Sequence, residues 1–398
     1  MLAAKWQNSS KPKYLSQARP VKPCYRYAQS GFTLVELMIS LVLGLLITAA
    51  AMQVYYTNYK TSTIQRSGSE LQQSSIFGLA PLEANIRLAN LGNDIAYIDD
   101  ETAQGGVVLT GCNLGIYTLA SAKQIGDRPP KYQPLPDACN PKSESTEIYK
   151  KDTYAQTSSG YLTRTGSESS AGNNKTKWTG VSNIKGIGSD QLTIQYKNIS
   201  NAVMSDCEGG NVEIGDTVVE RYFLRLPTGV ASDNNKVQNL VLACDAGRVN
   251  VQSNGGSTIK TFTPATAPRN FGQAGQELIR GVDQFVIALG VQQPETTKAE
   301  PSLLYITTDK YKSLSPIAYD ASQPDYKIRP PIVAIRVGLI MNGGVPILAD
   351  TDKDTFTLFG QSMTLKTDTS RSKQVRTAYE TSILLRNARV ITLGTDLK

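Results

Sequence analysis

The hydrophobic pattern divides the chain into a polar leader, a continuous apolar run and a long region of short alternating segments. From Leu37 to Tyr59 no residue is charged, and Glu36 is the only charged residue between Phe32 and Tyr59. A bilayer core of roughly 30 Å needs about 20 apolar residues in a helix. The pattern therefore predicts one membrane-spanning helix over 32–54.

Beyond this span the helical pattern continues over 55–91, which predicts a second half of the helix that packs by one face. The positions on that face are Ile64, Leu71, Ser75, Leu79, Leu82, Ile86 and Ala89. Bends or breaks are expected at Gly44, Gly68, Gly78 and Pro81. Leu91-Gly92-Asn93 is the expected C-terminal stop.

Residues 92–398 carry short alternating runs bounded by Gly, Asn, Asp and Pro, which predict an antiparallel sheet with long insertions. Strands are expected in DQLTIQYKNI, GDTVVERYFLRL, KVQNLVLACD, RGVDQFVIALGV and PPIVAIRVGLIMNGG, and a strand or helix end in RTAYETSILLRNARV. The second and third segments should form a hairpin with a long loop. Each of three strands should gather one apolar face: Leu192, Ile194 and Tyr196; Phe285, Ile287 and Leu289; and Val333, Ile335, Val337 and Leu339.

A polar segment near 150–188, rich in Ser, Thr, Gly and Asn, is expected to be a solvated insertion. Trp178, Tyr154 and Tyr161 within it leave open a contact surface or a glycan-binding patch.

Composition bounds the chemistry. The 398 residues include no histidine, which excludes catalytic triads that need an imidazole and zinc sites built on Cys and His. The formal charge of +7 would suggest a nucleic-acid partner, but residues 1–31 carry six basic residues and no acidic one. The rest of the chain is therefore nearly neutral, and direct nucleic-acid binding is not supported. The positive-inside rule places the leader in the cytoplasm and exports the remainder.

The leader and the span meet in a recognisable string, Gly31-Phe32-Thr33-Leu34-Val35-Glu36 followed by the apolar run. It resembles the class III signal of type IV pilins and pseudopilins. The resemblance implies that prepilin peptidase cuts between Gly31 and Phe32, removing 1–31 as a leader, and methylates Phe32. It also implies a pilin-like α+β fold, in which a long N-terminal helix packs on an antiparallel β-rich globular head.

Glu36 has a physical reason to lie in the apolar run. After cleavage, the Phe32 ammonium and the Glu36 carboxylate lie one helical turn apart, so each costly charge has a partner. The resemblance implies that in a filament Glu36 could instead meet the amine of a neighbouring subunit and fix the axial register.

The later segments GVDQFVIALGV, IVAIRVGLIM and TSILLRNARV resemble PilW-type minor pilins. This implies a structural subunit of the type IV pilus, not an enzyme, that primes or caps the filament and serves biogenesis, motility, adhesion or DNA uptake. The implied partners are prepilin peptidase, the other minor pilins, the major pilin and the inner membrane. The alternatives are a pseudopilin of type II secretion and, from another class, a membrane-anchored periplasmic enzyme or carbohydrate-binding module.

Four cysteines remain once Cys24 is removed with the leader, and an oxidising periplasm permits disulfides. Of the three connectivities, sequential pairing of Cys112 with Cys139 and Cys207 with Cys244 is favoured, because each pair brackets one local unit. The second bridge would tie the predicted hairpin near its base.

No catalytic residue, metal site or cofactor is predicted. Asp350, Asp352 and Asp354 alternate as in the opening of many calcium loops, but Thr355 and Gln361 replace the glycine and the acid that such a loop needs. A surface turn is favoured there, and calcium binding stays open.

Overall fold

A computed structural model of the full chain describes residues 31–93, 95, 97–100, 102, 105–110, 113, 162–168, 177–231, 233, 236–251, 257–260, 271–293, 302–315, 317–320, 323–348 and 353–388. The chain divides into two compact units, Met1–Thr57 and Asn58–Lys398. The first unit contributes the beginning of one long helix, and the second contains the end of that helix and all the described strands.

The helical part consists of α1 (Leu34–Ser74), a π-helical turn (Ser75–Leu79) and α2 (Ala80–Ile86). Gly44 and Gly68, which were expected as weak points, lie within the unbroken α1. The irregularity falls at the other two expected points, Gly78 and Pro81. Proline lacks an N–H and its ring clashes with the carbonyl four residues earlier, so a widened π-turn lets the helical path continue through it.

The helix ends earlier than the predicted stop at 91–93. α2 ends at Ile86, and the next residues form tight turns in which the Leu91 N–H donates to the Leu88 carbonyl at 2.9 Å. Asn90 (φ 67°) and Gly92 (φ 71°) then take left-handed conformations that end the helical path.

The strands of the second unit are β1 (Thr165–Ser167), β2 (Lys177–Thr179), β3 (Gln191–Lys197), β4 (Met204–Ser205), β5 (Asn211–Val212), β6 (Thr217–Arg225), β7 (Val241–Val251), β8 (Ser257–Lys260), β9 (Gln276–Arg280), β10 (Val282–Gln292), β11 (Leu303–Ile306), β12 (Ile317–Asp320), β13 (Gln323–Ile328), β14 (Ile332–Asn342), β15 (Thr355–Leu358), β16 (Gln361–Thr364) and β17 (Arg376–Leu384). One short helix, α3 (Thr308–Lys312), follows β11.

Two antiparallel sheets form the frame of this unit. The first runs β3-β6-β7-β8, with β9 also paired to β7, and the second runs β11-β10-β14-β17. The predicted hairpin is present as β6 and β7, with Arg225 opposite Val241 at its loop end. The long helix and the antiparallel β-rich head that were predicted are therefore confirmed.

One apolar core joins the two sheets to the helical segment. The predicted face of the helix supplies five buried members: Leu71, Leu79, Leu82, Ile86 and Ala89. Ile64, also predicted on that face, is 39% exposed. Hydrogen bonds add to this packing, since the Tyr379 hydroxyl donates to Glu83 Oε1 at 3.1 Å.

The strand faces follow the predicted alternation with two corrections. Leu192 and Ile194 lie in the core, but Tyr196 packs in a separate buried cluster with Val212 and Val218. Phe285, Ile287 and Leu289 lie in the core, as do Ile335, Val337 and Leu339, but Val333 does not join them. A bulge in the pairing of β10 with β14, where the register shifts between Gly290 and Val291, puts Ile332 in the core in its place.

The predicted polar insertion is also corrected in part. Ser182, Asn183 and Ile184 are buried, and the Trp178 indole donates to the Ser189 carbonyl at 3.1 Å. These side chains are components of the head and not of a solvated loop. Tyr154 and Tyr161, the other candidates for a contact surface, lie outside the described residues.

Candidate functional site

The beginning of α1 leaves the predicted processing bond outside the helix. Gly31, Phe32 and Thr33 are exposed and have no regular secondary structure, and the helix begins at Leu34. The exposed fraction of Phe32 is 83%. A protease binds its substrate backbone in an extended form, so this bond needs no unwinding of α1 to be reached.

Thr33 caps the helix, which the sequence analysis missed. Its hydroxyl oxygen accepts the Glu36 N–H at 3.3 Å, and its carbonyl accepts the Leu37 N–H at 3.1 Å. Thr33-x-x-Glu36 matches the capping-box pattern, in which an N-cap Ser or Thr is followed three residues later by Glu or Gln. The Glu36 carboxylate thus lies in the first turn, at the positive end of the helix.

The first unit presents an apolar surface that nothing in the described chain covers. Every residue over 34–57 is exposed, including Leu45 (67%) and Ile47 (70%). Within the described residues, one helix is long and apolar enough to cross a membrane. An apolar surface of this length needs a membrane or other apolar helices around it.

In the head, Cys207 and Cys244 form a disulfide with their Cα atoms 6.2 Å apart. Cys207 lies between β4 and β5, and Cys244 lies in β7 opposite Tyr222. The sequence predicted that this bridge would tie the base of the β6–β7 hairpin. It instead joins the preceding β4–β5 segment to the middle of the hairpin. Cys112 and Cys139 lie outside the described residues, so their pairing stays a prediction.

A buried carboxylate, Glu220 of β6, lies beside this disulfide. It accepts hydrogen bonds from the Tyr196 hydroxyl (2.9 Å), the Tyr222 hydroxyl (2.5 Å) and the Cys207 N–H (3.0 Å). Burial raises the pKa of Glu220 to about 7, against the lowering effect of these three donors. The donor atoms of Cys207, Glu220 and Cys244 lie within 4.8 Å of one another, but the disulfide occupies both sulfurs, so no metal ligand set is free there.

A buried ion pair joins β10 to β17. Arg376 Nε lies 2.9 Å from Asp283 Oδ2, and neither side chain is exposed. The other oxygen of Asp283 accepts from the Asn183 amide at 2.6 Å and the Asn342 amide at 3.0 Å. Sequence reasoning used the segments that contain Asp283 and Arg376 only for their apolar alternation. The signal that could have been used is Asp283 itself, an acidic residue near the start of the largely apolar run VDQFVIALGV.

The remaining candidate sites, the Asp354 region and a groove beside the π-turn, are exposed to solvent or open. Asp354 is exposed and accepts from the Thr355 hydroxyl at 3.1 Å, while Asp350 and Asp352 lie outside the described residues. An open groove beside the π-turn is lined by Gly78, Arg225 and Ile279 and bordered by Phe77, which is 76% exposed.

Comparison with known proteins gives two family matches on this chain. Residues 26–52 match the family model of the prokaryotic N-terminal methylation motif. This range includes the Gly31–Phe32 bond and Glu36. The chain is thus similar to type IV pilins at its N-terminus. Residues 249–387 match the family model of the type IV pilus-assembly protein W, which covers β10, β14 and β17. Both resemblances stated from the sequence are confirmed.

Among solved structures, a type IV-like pilin from Thermus thermophilus is similar at 11% identity, with 50% of this chain and 80% of that chain covered. Its TM-score is 0.24, which is too low to support a conclusion about the fold. A search of curated proteins found no match to this chain.

Proposed function

We propose that this protein is a minor pilin, a structural subunit that helps to prime or cap a type IV pilus. The observation that carries the proposal is the presence on one chain of the methylation motif over 26–52 and the pilus-assembly protein W match over 249–387. The families it resembles are structural, which favours a subunit that acts through its surfaces over an enzyme.

Processing is proposed at the Gly31–Phe32 bond, by prepilin peptidase, with methylation of the new Phe32 amine. The exposure of this bond ahead of the first helical residue supports that assignment. Methylation keeps the amine charged, so the Phe32 ammonium stays available to a carboxylate. Glu36 is proposed as that carboxylate, within the subunit before assembly and between subunits in the filament.

The proposed orientation places the leader in the cytoplasm and the head in the periplasm, and later on the cell surface. Six basic residues before the span support a cytoplasmic leader. The Cys207–Cys244 disulfide supports a periplasmic head, because such bridges persist in oxidising compartments. The proposed partners are prepilin peptidase, the other minor pilins and the major pilin.

A pseudopilin of type II secretion carries the same N-terminal motif. The match over 249–387 is to a pilus-assembly protein, which favours the pilus. A membrane-anchored enzyme or carbohydrate-binding module would use the helix only as a tether, and so would not need Glu36.

A substitution at Glu36 tests the proposal against the tether. Glu36→Gln keeps the side-chain type that a capping box accepts and removes the charge. We expect membrane insertion and cleavage to continue while incorporation into pili, measured by immunoblot of sheared filaments, falls by at least tenfold. Ser40→Ala, one turn further along, is the matched control and should assemble normally. Normal assembly of Glu36→Gln would contradict the proposal.

A further inference from the structure

The Cys207–Cys244 bridge has a built proton acceptor beside it. A Glu220 oxygen lies within 4.8 Å of both sulfurs. Cys244 is fully buried, whereas Cys207 is partly exposed. The two sulfurs therefore differ in access: a disulfide reagent from solvent can reach Cys207, and Cys244 can react only from inside the head.

Because Cys244 is buried, its thiol must lose a proton inside the head before the disulfide can form. The nucleophile in disulfide formation is the thiolate, and burial in apolar surroundings raises the pKa of a thiol. In the reduced head the Cys244 thiol would lie among core residues, with the Tyr222 ring on the neighbouring strand. It needs a nearby base to lose its proton without a charge entering the core from outside.

We propose that Glu220 is the general base that closes this disulfide. The Cys207 thiolate first attacks an external disulfide such as oxidised glutathione, which releases one glutathione thiolate and leaves a mixed disulfide on Cys207. The Cys244 thiol then transfers its proton to the Glu220 carboxylate, and the Cys244 thiolate attacks Cys207 Sγ. The Cys207–glutathione bond breaks, the second glutathione leaves as the thiolate, and it is protonated by Glu220 or water. Two thiols are oxidised and one glutathione disulfide is reduced.

The surroundings of Glu220 suit this role. The groups that face it are the Tyr196 and Tyr222 hydroxyls, the Cys207 N–H and Asp206, whose charge is paired with Arg248 at 2.8 Å. Burial in this setting raises the pKa of Glu220 to about 7, so its carboxylate can compete for a thiol proton near neutral pH. With no histidine in the chain, a carboxylate is the side chain that can supply a base in this range.

The test is single-turnover oxidation of the full chain, reduced in detergent and then mixed with oxidised glutathione. Acid quenching, alkylation and peptide mass mapping separate the mixed disulfide on Cys207 from the closed bridge. We expect Glu220→Gln to slow closure by about 10²-fold or more, the usual scale for loss of a general base, and to leave formation of the mixed disulfide unchanged. The wild-type closure rate should rise with pH through a titration near 7.

The matched control is Asp190→Asn, which removes another fully buried carboxylate whose pKa burial also raises to about 7. This variant should close at the wild-type rate. Tyr196→Phe removes a single donor to Glu220, so the midpoint of the pH profile of closure should move upward. Closure by Glu220→Gln at the wild-type rate, equal slowing in Asp190→Asn, or an unmoved midpoint in Tyr196→Phe would each overturn the proposal. None of these outcomes depends on pilus assembly.

Discussion

Asp283 and Arg376 show how single residues hold the head together. Both side chains are fully buried, and burial raises the pKa of Asp283 while the guanidinium of Arg376 opposes that rise. Two amides complete the shell of the carboxylate. A pair of this kind contributes little relative to apolar residues, but loss of one partner leaves an uncompensated charge in the core.

Arg376→Met should therefore lower the free energy of unfolding by about 3–5 kcal/mol. Arg66→Met is the control, because Arg66 pairs with Glu70 at 3.6 Å on an exposed helix face and its side chain is 74% exposed. Loss of that pair should cost under about 1 kcal/mol. Denaturant unfolding of both variants measures the difference, and equal losses would show that the buried pair is not structural.

Among single residues, the sequence revealed some of those to which a role is proposed and concealed others. Glu36 could be found because a charge in an apolar run is conspicuous, and Cys207 and Cys244 because a head that is predicted to be exported favours disulfide pairing. Glu220 could not be found, since VVERY reads as ordinary strand alternation. Its burial depends on Tyr196 of β3 and on the β4–β5 segment, which only the tertiary structure brings together.

Among the secondary-structure elements, the π-turn is one that the sequence predicted only in part. Gly78 and Pro81 predicted an irregularity at this position, but they did not predict that the chain continues beyond it as a helix, α2. The continuation depends on packing: a Cβ at Gly78 would collide with the Ile279 side chain of β9. A Cβ at Gly68, in contrast, would meet nothing within 4 Å.

These two helical glycines form a matched pair. Gly78→Ala should lower the free energy of unfolding by about 1–3 kcal/mol, because β9 must shift to admit the methyl group. Gly68→Ala should be neutral or stabilise by up to about 1 kcal/mol, as expected for an open helical position. Thermal or denaturant unfolding of the two variants gives the comparison. Stabilisation by Gly78→Ala would contradict the close approach of the π-turn to β9.

The strand faces were predictable because alternation has a period of two, and Phe285, Ile287 and Leu289 lie as expected. The exception on β14, Val333, was not predictable. A bulge shifts the register by one residue, and nothing in the local sequence distinguishes Ile332 from Val333 as the core residue.

For the molecule as a whole, two buried carboxylates make the stability of the head depend on pH in the range where histidine, absent from this chain, would normally titrate. Burial raises the pKa of both Asp190 and Glu220 to about 7, from ordinary values of 3.8 and 4.5. The folded state therefore binds these protons more tightly than the unfolded state. The stabilisation is complete below pH 4 or so and is lost as the pH rises through about 7.

We therefore expect the free energy of unfolding to fall by a few kcal/mol between pH 5 and pH 8. Urea unfolding of the oxidised full chain in detergent at several pH values measures this trend. Glu220→Gln should reduce the slope by about half, because Asp190 still titrates, whatever that substitution does to the stability at any single pH. A stability that rises over this range would contradict the assignment of buried, protonated carboxylates.

We propose that the mature protein is a pilin-like subunit that cleavage of one bond, Gly31–Phe32, releases from its leader. Intact-mass and peptide mass spectrometry of the protein recovered from its native membrane tests this most directly. We predict a mature chain that begins at Phe32 with one methyl group on its amine and lacks residues 1–31. A chain that keeps its leader, or that begins at any other residue, would rule out cleavage at the Gly31–Phe32 bond.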